Sequence, residues 1–198
     1  KPSKPSKEKI IDTAFRFHSQ GNISEATKYY QLFINQGFED PRVFSNYGII
    51  LQSLGKSKEA EILLRKAIKI IPNLALSHYN LGSILIDLGK PKEAEISLRK
   101  AIELKPDLAE AHSNLGNILR NLGNLKDAEL SIRKAIQIKP NLAEAHSSLG
   151  NIFKENRNYA DAINSYKKAL KLNTDLCSAK LELIGSKREI CDWSDQET

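Results

Sequence analysis

Four glycines constrain this chain more than any other feature. Gly48, Gly82, Gly116 and Gly150 stand 34 residues apart, and Ala14 occupies the same place one period upstream. Twelve residues after each of these comes an alanine: Ala26, Ala60, Ala94, Ala128 and Ala162. Seven further on come Ala67, Ala101, Ala135 and Ala169, with Phe33 in the first copy, and Pro72, Pro106 and Pro140 close the central copies. One such unit cannot bury its own apolar face, so a chain of this kind stacks its units into a continuous core.

Apolar residues at helical spacing split each unit into two short helices, for example 109–121 and 125–138, joined by a turn carrying Gly123. The small residues let paired helices approach closely while Leu and Ile fill the gap, and a larger side chain there is expelled. Asp107 and Asn141, followed three residues later by Glu110 and Glu144, read as N-caps with a capping-box start. Pro91 suits the first turn of its helix. The first unit is atypical, with Phe33 in place of Ala and Phe38 in place of Pro. The fifth has Arg157 for Gly and Thr174 for Pro, which predicts a less sharply defined turn and exit. Exposed ends of a stacked array need a polar cover, and residues 177–190 read as that last helix.

This pattern resembles the tetratricopeptide repeat (TPR) over residues 7–176. The resemblance implies an all-α fold, a right-handed alpha-alpha superhelix or TPR solenoid of five 34-residue helical hairpins plus a C-terminal capping helix. Its parts are a flexible basic leader (1–6), units at 7–40 (atypical), 41–74, 75–108, 109–142 and 143–176, the capping helix (177–190) and a tail (191–198) leading toward a further domain.

Composition excludes several function classes. The 198 residues, 40% hydrophobic and 27% charged, suffice for a sizeable core. Of the net charge of +6, residues 1–9 supply +3 through four Lys and one Glu. The recurrent pairs Arg65-Lys66, Arg99-Lys100 and Arg133-Lys134 follow Glu61, Glu95 and Glu129 at the spacing of helical ion pairs, so they read as a solvated face rather than a nucleic-acid footprint. No run approaches the roughly 18 apolar residues of a membrane helix, and the start KPSKPSKEK lacks the apolar core of a signal peptide. A cytoplasmic location follows as the expectation, with Cys177 and Cys191 as reduced thiols. His78, His112 and His146 recur one period apart, too far to share an ion, and read as packing residues. His18 has no carboxylate or Cys constellation around it in the sequence, and no catalytic, metal or cofactor motif appears.

What remains is a binding face. Counting from 7, 41, 75, 109 and 143, position 6 of the units is Asp12, Asn46, Asn80, Asn114 and Ser148. First helices of stacked hairpins line a concave face, where an amide can pair with both C=O and N–H of a bound backbone without reading its side chains. Helices stacked about 8–10 Å apart and an extended chain advancing about 3.3 Å per residue bring one Asn to roughly every third residue of a ligand. Asn117 and Asn151, at position 9, lie one turn further along this face, and Tyr79, Asp87, Arg120 and Asn121 vary the chemistry between units. The alternative is that these amides bond their own scaffold. Position 5 is Ile11, Ser45, Tyr79, Ser113 and Ser147, so the two-carboxylate clamp known for such repeats, which needs Lys there, is absent.

There is no Met in the sequence, so the expectation is an excerpt of a longer protein. Units reading AEAHSNLGN that run into CDWSD at 191–195 resemble the O-linked N-acetylglucosamine transferase and SPINDLY-type family. That resemblance implies an arm presenting protein substrates to a glycosyltransferase domain, with Asn46, Asn80 and Asn114 holding the substrate backbone and Ser148 departing from the ladder. The function expected is protein or extended-peptide binding, without enzyme activity in this chain. The alternative is a stand-alone adaptor or a self-association scaffold forming a homodimer through its convex face.

Overall fold

The computed structural model describes residues 5–190. These residues form eleven helices and divide into two compact units, residues 1–97 and 98–198. The first unit holds α1 (Lys7–Ser19), α2 (Ile23–Asn35), α3 (Pro41–Ser53), α4 (Ser57–Ile70) and α5 (Ala75–Asp87). The division falls inside α6 (Pro91–Leu104). The second unit holds α7 (Ala109–Asn121), α8 (Leu125–Ile138), α9 (Ala143–Glu155), α10 (Tyr159–Leu172) and α11 (Cys177–Glu189).

Within the first unit α1 pairs with α2 and α3 with α4, and α5 packs on α4 and α3. Within the second, α7 pairs with α8 and α9 with α10, and α11 packs on α10. The alanines of the repeat make this possible: Ala26, Ala60, Ala128 and Ala162 are fully buried, as are Ala67, Ala135 and Ala169 seven residues on. Phe33 takes the place of the last of these in the first hairpin and is also fully buried, its ring tilted against Phe38 with centroids 5.5 Å apart. The glycines mark close approach. A Cβ on Gly116 would stand 2.6 Å from Ile132 Cδ1, so α7 and α8 cannot sit as they do around a larger residue.

Several sequence expectations are corrected here. Three side-chain N-caps sit on second helices: Asn22, Asn124 and Asn158 accept from the backbone N–H of Glu25, Asp127 and Asp161 at 3.2, 3.4 and 3.3 Å. The signal was legible as Asn followed three residues later by an acid. Asp107 and Asn141 do not cap. Leu108 and Leu142 precede α7 and α9 instead, half-buried and without a side-chain cap. Packing of the leucine, together with a histidine bond described below, fixes these entries. Only α1 and α3 among the first helices carry caps, from Ser6 and Asp40.

The turn at Arg157 is as well formed as those at glycine. Arg157 takes φ 58°, beside 82° at Gly123, and both turns close with the same backbone bonds, Asn158 N to Phe153 O and Asn124 N to Leu119 O, each 2.8 Å. The exit without proline is likewise ordered, because Asn173 Oδ1 accepts from Asp175 N at 3.0 Å. The last helix departs from a polar cover. Ala179 is buried in a cluster with Ala162, Tyr166 and Ala169, but Leu181 and Ile184 on α11 are 71% and 49% exposed.

The expected helical ion pairs include Glu61–Arg65 at 2.9 Å and Glu129–Arg133 at 2.8 Å. Glu61 also meets Lys90 at 2.9 Å, and Arg65 meets Glu93 at 2.6 Å. Lys90 first and Arg65 after it hold the Glu61 carboxyl below the usual range, against the opposing effect of burial. Among the described residues no helix is long and apolar enough to cross a membrane, and no cluster of three or more His, Cys, Asp or Glu could hold a metal ion. Cys177 is an exposed free thiol. Cys191, Trp193 and the CDWSD segment lie outside the described residues.

Candidate peptide-binding faces

The recurrent polar residues lie on the first helices, and the structure sorts them by whether the scaffold already uses them. In the first unit Asn46 (α3) and Asn80 and Tyr79 (α5) are half-buried. In the second, Asn114 and Asn117 (α7) and Asn151 (α9) are half-buried, Asn121 is exposed, and Ser148 is 7% exposed. Asp12 on α1 is exposed.

Two of the amides are committed to tyrosines. Tyr30 and Tyr166 occupy position 24, where the three central units have Leu64, Leu98 and Ile132, and both rings are fully buried. A buried phenol needs a hydrogen-bond partner for its hydroxyl. Tyr166 Oη donates to Asn151 Oδ1 at 2.8 Å. The Tyr30 hydroxyl pairs with His18 Nδ1 at 3.0 Å and interacts with the Asn46 side chain. Burial pushes the Tyr30 phenol up to about 12, with the Asn46 hydrogen bond pulling the other way. Burial, reinforced by the Glu182 charge, raises Tyr166 further.

For Asn46 and Asn151 the scaffold reading therefore holds for part of the amide. Asn80, Asn114 and Asn117 carry no side-chain hydrogen bond among the described residues, and position 24 of their own and of the preceding unit is Leu or Ile. Their donors and acceptors remain available. Asp87 is already held, accepting from Gln52 Nε2 at 2.6 Å, and the same nitrogen reaches Ser83 Oγ at 3.1 Å. Ser45 and Ser77 pair through their hydroxyls at 2.8 Å between α3 and α5. Arg120 lies 3.6 Å from Glu155 through Nε and reaches Asn121 Oδ1 at 3.3 Å through Nη2.

The histidines do more than pack. His78, His112 and His146 set Nε2 at 2.8, 3.0 and 2.9 Å from the carbonyls of Pro72, Pro106 and Pro140, six residues upstream. A carbonyl only accepts, so Nε2 carries the proton. Each histidine thereby ties the start of one hairpin to the exit of the previous one. Sequence reasoning missed this contact, although the constant six-residue spacing from Pro to His was its signal.

Profiles of the tetratricopeptide repeat match residues 41–74, 75–108, 109–142 and 143–175, more than half of the chain. The chain belongs to the tetratricopeptide-repeat family. No curated protein sequence matches it. Among solved structures it is similar to YrrB, "a TPR protein with an unusual peptide-binding site", at 22% identity and a TM-score of 0.75, with 92% of each chain covered. PilF of Pseudomonas aeruginosa aligns at 18% identity and a TM-score of 0.79, covering 94% of this chain and 85% of that one. MamA aligns at 23% identity and 0.73, covering 85% and 92%. At these identities the likeness shows the TPR fold alone.

Proposed function

We propose that this TPR chain is a polypeptide-binding module that holds extended segments along the first helices of each of its two units, working as an adaptor or self-association scaffold. The observation that carries this reading is the set of unengaged amides at Asn80, Asn114 and Asn117. An amide without an intramolecular partner on a half-buried face can exchange water for a backbone C=O and N–H at little cost. YrrB has a peptide-binding site on the same fold, which supports the reading by analogy of fold only. Asn46, Asn151, Ser148, Tyr79, Arg120 and Asn121 flank these amides in the proposal, the first two with half of the side chain already spent.

The narrower reading, an arm that presents substrates to a protein O-glycosyltransferase, rests on the resemblance of the AEAHSNLGN units running into CDWSD, and the comparisons lend it nothing. The adaptor reading is adopted for that reason.

Panning a random-peptide library against the chain and measuring the best binder on variants tests the proposal. Replacing Asn80, Asn114 and Asn117 by Ala should weaken binding about tenfold or more, one net hydrogen bond being worth about 1 kcal/mol. Unchanged affinity with the helical circular dichroism intact would sink it.

A further inference from the structure

A cleft of about 320 Å³ opens in the second unit between α7, α9 and α11, lined by Arg120, Asn151, Lys154, Glu155 and Glu182. Its charges sum to zero, but they are not equally satisfied. Lys154 and Glu182 pair tightly at 2.6 Å. Glu155 is about half exposed and hydrated by bulk water. The Arg120 side chain is only 21% exposed; its Nε is shielded from solvent and has only the long 3.6 Å ion pair with Glu155, outside hydrogen-bond reach, and its Nη2 has the 3.3 Å contact to the neutral Asn121. A sequestered guanidinium with no carboxylate in hydrogen-bond geometry is the under-served group of this cleft.

Asn151 adds a second donor. Its Oδ1 already accepts from the Tyr166 hydroxyl, which fixes the orientation of the amide, and the Nδ2 hydrogens are left as donors for a ligand. The ring of Tyr166 is fully buried against Gly150, which holds the hydroxyl in place. Arg120 Nε and Asn151 Nδ2 thus line the cleft as donors without a hydrogen-bonded acceptor.

We propose that this cleft takes the carboxylate of an Asp or Glu side chain of a bound polypeptide on the Arg120 guanidinium and Asn151 Nδ2, with Tyr166 as the positioning residue that turns the amide. The proposal rests on the polypeptide-binding reading and narrows it to acidic segments at this end. Glu155 swings into water as the ligand carboxylate takes its place beside Arg120.

The test follows side-chain amide and guanidinium resonances by 15N NMR on the whole chain. N-acetyl-aspartate methylamide should move Asn151 and Arg120 saturably. The same titration on Arg120→Gln should be about tenfold weaker, the usual cost of one charge-assisted hydrogen bond. Tyr166→Phe, with unchanged circular dichroism, should shift the Asn151 amide and weaken the aspartate compound. Movement of the same resonances by N-acetyl-lysine methylamide, or no saturable movement with the aspartate compound, overturns the proposal. Full aspartate affinity in Tyr166→Phe removes the positioning role. A neutral Ala/Ser peptide run alongside separates the two readings: if it moves Asn114 and Asn117 while the aspartate compound leaves Asn151 still, the carboxylate site alone fails.

Discussion

Gly150 lies against the face of Tyr166 so closely that a Cβ on it would stand 2.5 Å from Cε1 and 2.9 Å from Cζ of the ring. The equivalent contact at Gly48 is 3.2 Å, to Leu64 Cγ. A rigid aromatic ring cannot yield as a leucine does. Gly150→Ala should therefore destabilise the chain by about 1–3 kcal/mol through overpacking. Gly48→Ala should be close to neutral, because the helix-propensity gain of about 1 kcal/mol offsets a small crowding cost. Urea unfolding of the two variants side by side checks this, and equal shifts would contradict the packing argument.

Arg157 holds φ 58° in a turn whose counterparts are glycines. The left-handed conformation costs an L-residue about 1–2 kcal/mol, and glycine returns part of that gain through its greater freedom in the unfolded chain. Arg157→Gly should raise stability by about 0.5–1 kcal/mol. A thermal melt shows it as a rise in Tm, and a fall would mean that the arginine side chain contributes something the turn geometry does not account for.

Much of this fold is written in the period of 34, since Gly or Ala at the close-approach positions and Leu or Ile around them leave few other ways to bury the surface. The predicted helices 109–121 and 125–138 coincide with α7 and α8 for that reason. The cap assignment failed because Pro-Asp-Leu and Pro-Asn-Leu offer a polar and an apolar candidate side by side, and packing of Leu108 and Leu142 decided between them. The turn at Arg157 was misjudged because its flanking backbone bonds outweigh the local preference of one residue. At the candidate site, the amides at position 6 were legible as a face. That Tyr30 engages Asn46 at position 6 and Tyr166 engages Asn151 at position 9 was not, because reaching an asparagine on another helix from position 24 depends on how the helices pack.

Asp40 caps α3, accepting from Arg42 N at 2.9 Å and Val43 N at 3.4 Å, and its carboxylate meets Arg42 Nη2 at 2.7 Å. Burial alone would raise its pKa, but the Arg42 side-chain and backbone hydrogen bonds prevail and hold it below the ordinary value. A depressed carboxyl pKa gives stability that is complete above the unfolded value of about 3.9 and is lost as pH falls through the folded one. Asp40→Asn keeps a competent cap but removes the titration. Between neutral pH and about pH 3 the variant should lose less stability than the wild type, measured by urea midpoints at each pH. Parallel pH profiles would show that Asp40 does not contribute to acid sensitivity.

His146 separates packing from clamping. It is 3% exposed and its Nε2 donates to the Pro140 carbonyl at 2.9 Å, while the same position in the second repeat holds Phe44, also buried. If the imidazole served only as an aromatic filler, His146→Phe would be nearly neutral, as volume-conserving swaps are. The hydrogen bond makes a different demand, because phenylalanine leaves the Pro140 carbonyl without its donor at the junction of α8 and α9. His146→Phe should lose about 1 kcal/mol and His146→Ala about 2–4 kcal/mol, the second adding a cavity. His112, more exposed and 3.0 Å from the Pro106 carbonyl, should cost less in both changes, since water can replace its bond. Hydrogen exchange at the start of α9 in His146→Phe distinguishes the cases: faster exchange confined there marks a lost clamp between hairpins, and unchanged exchange returns the histidine to packing alone.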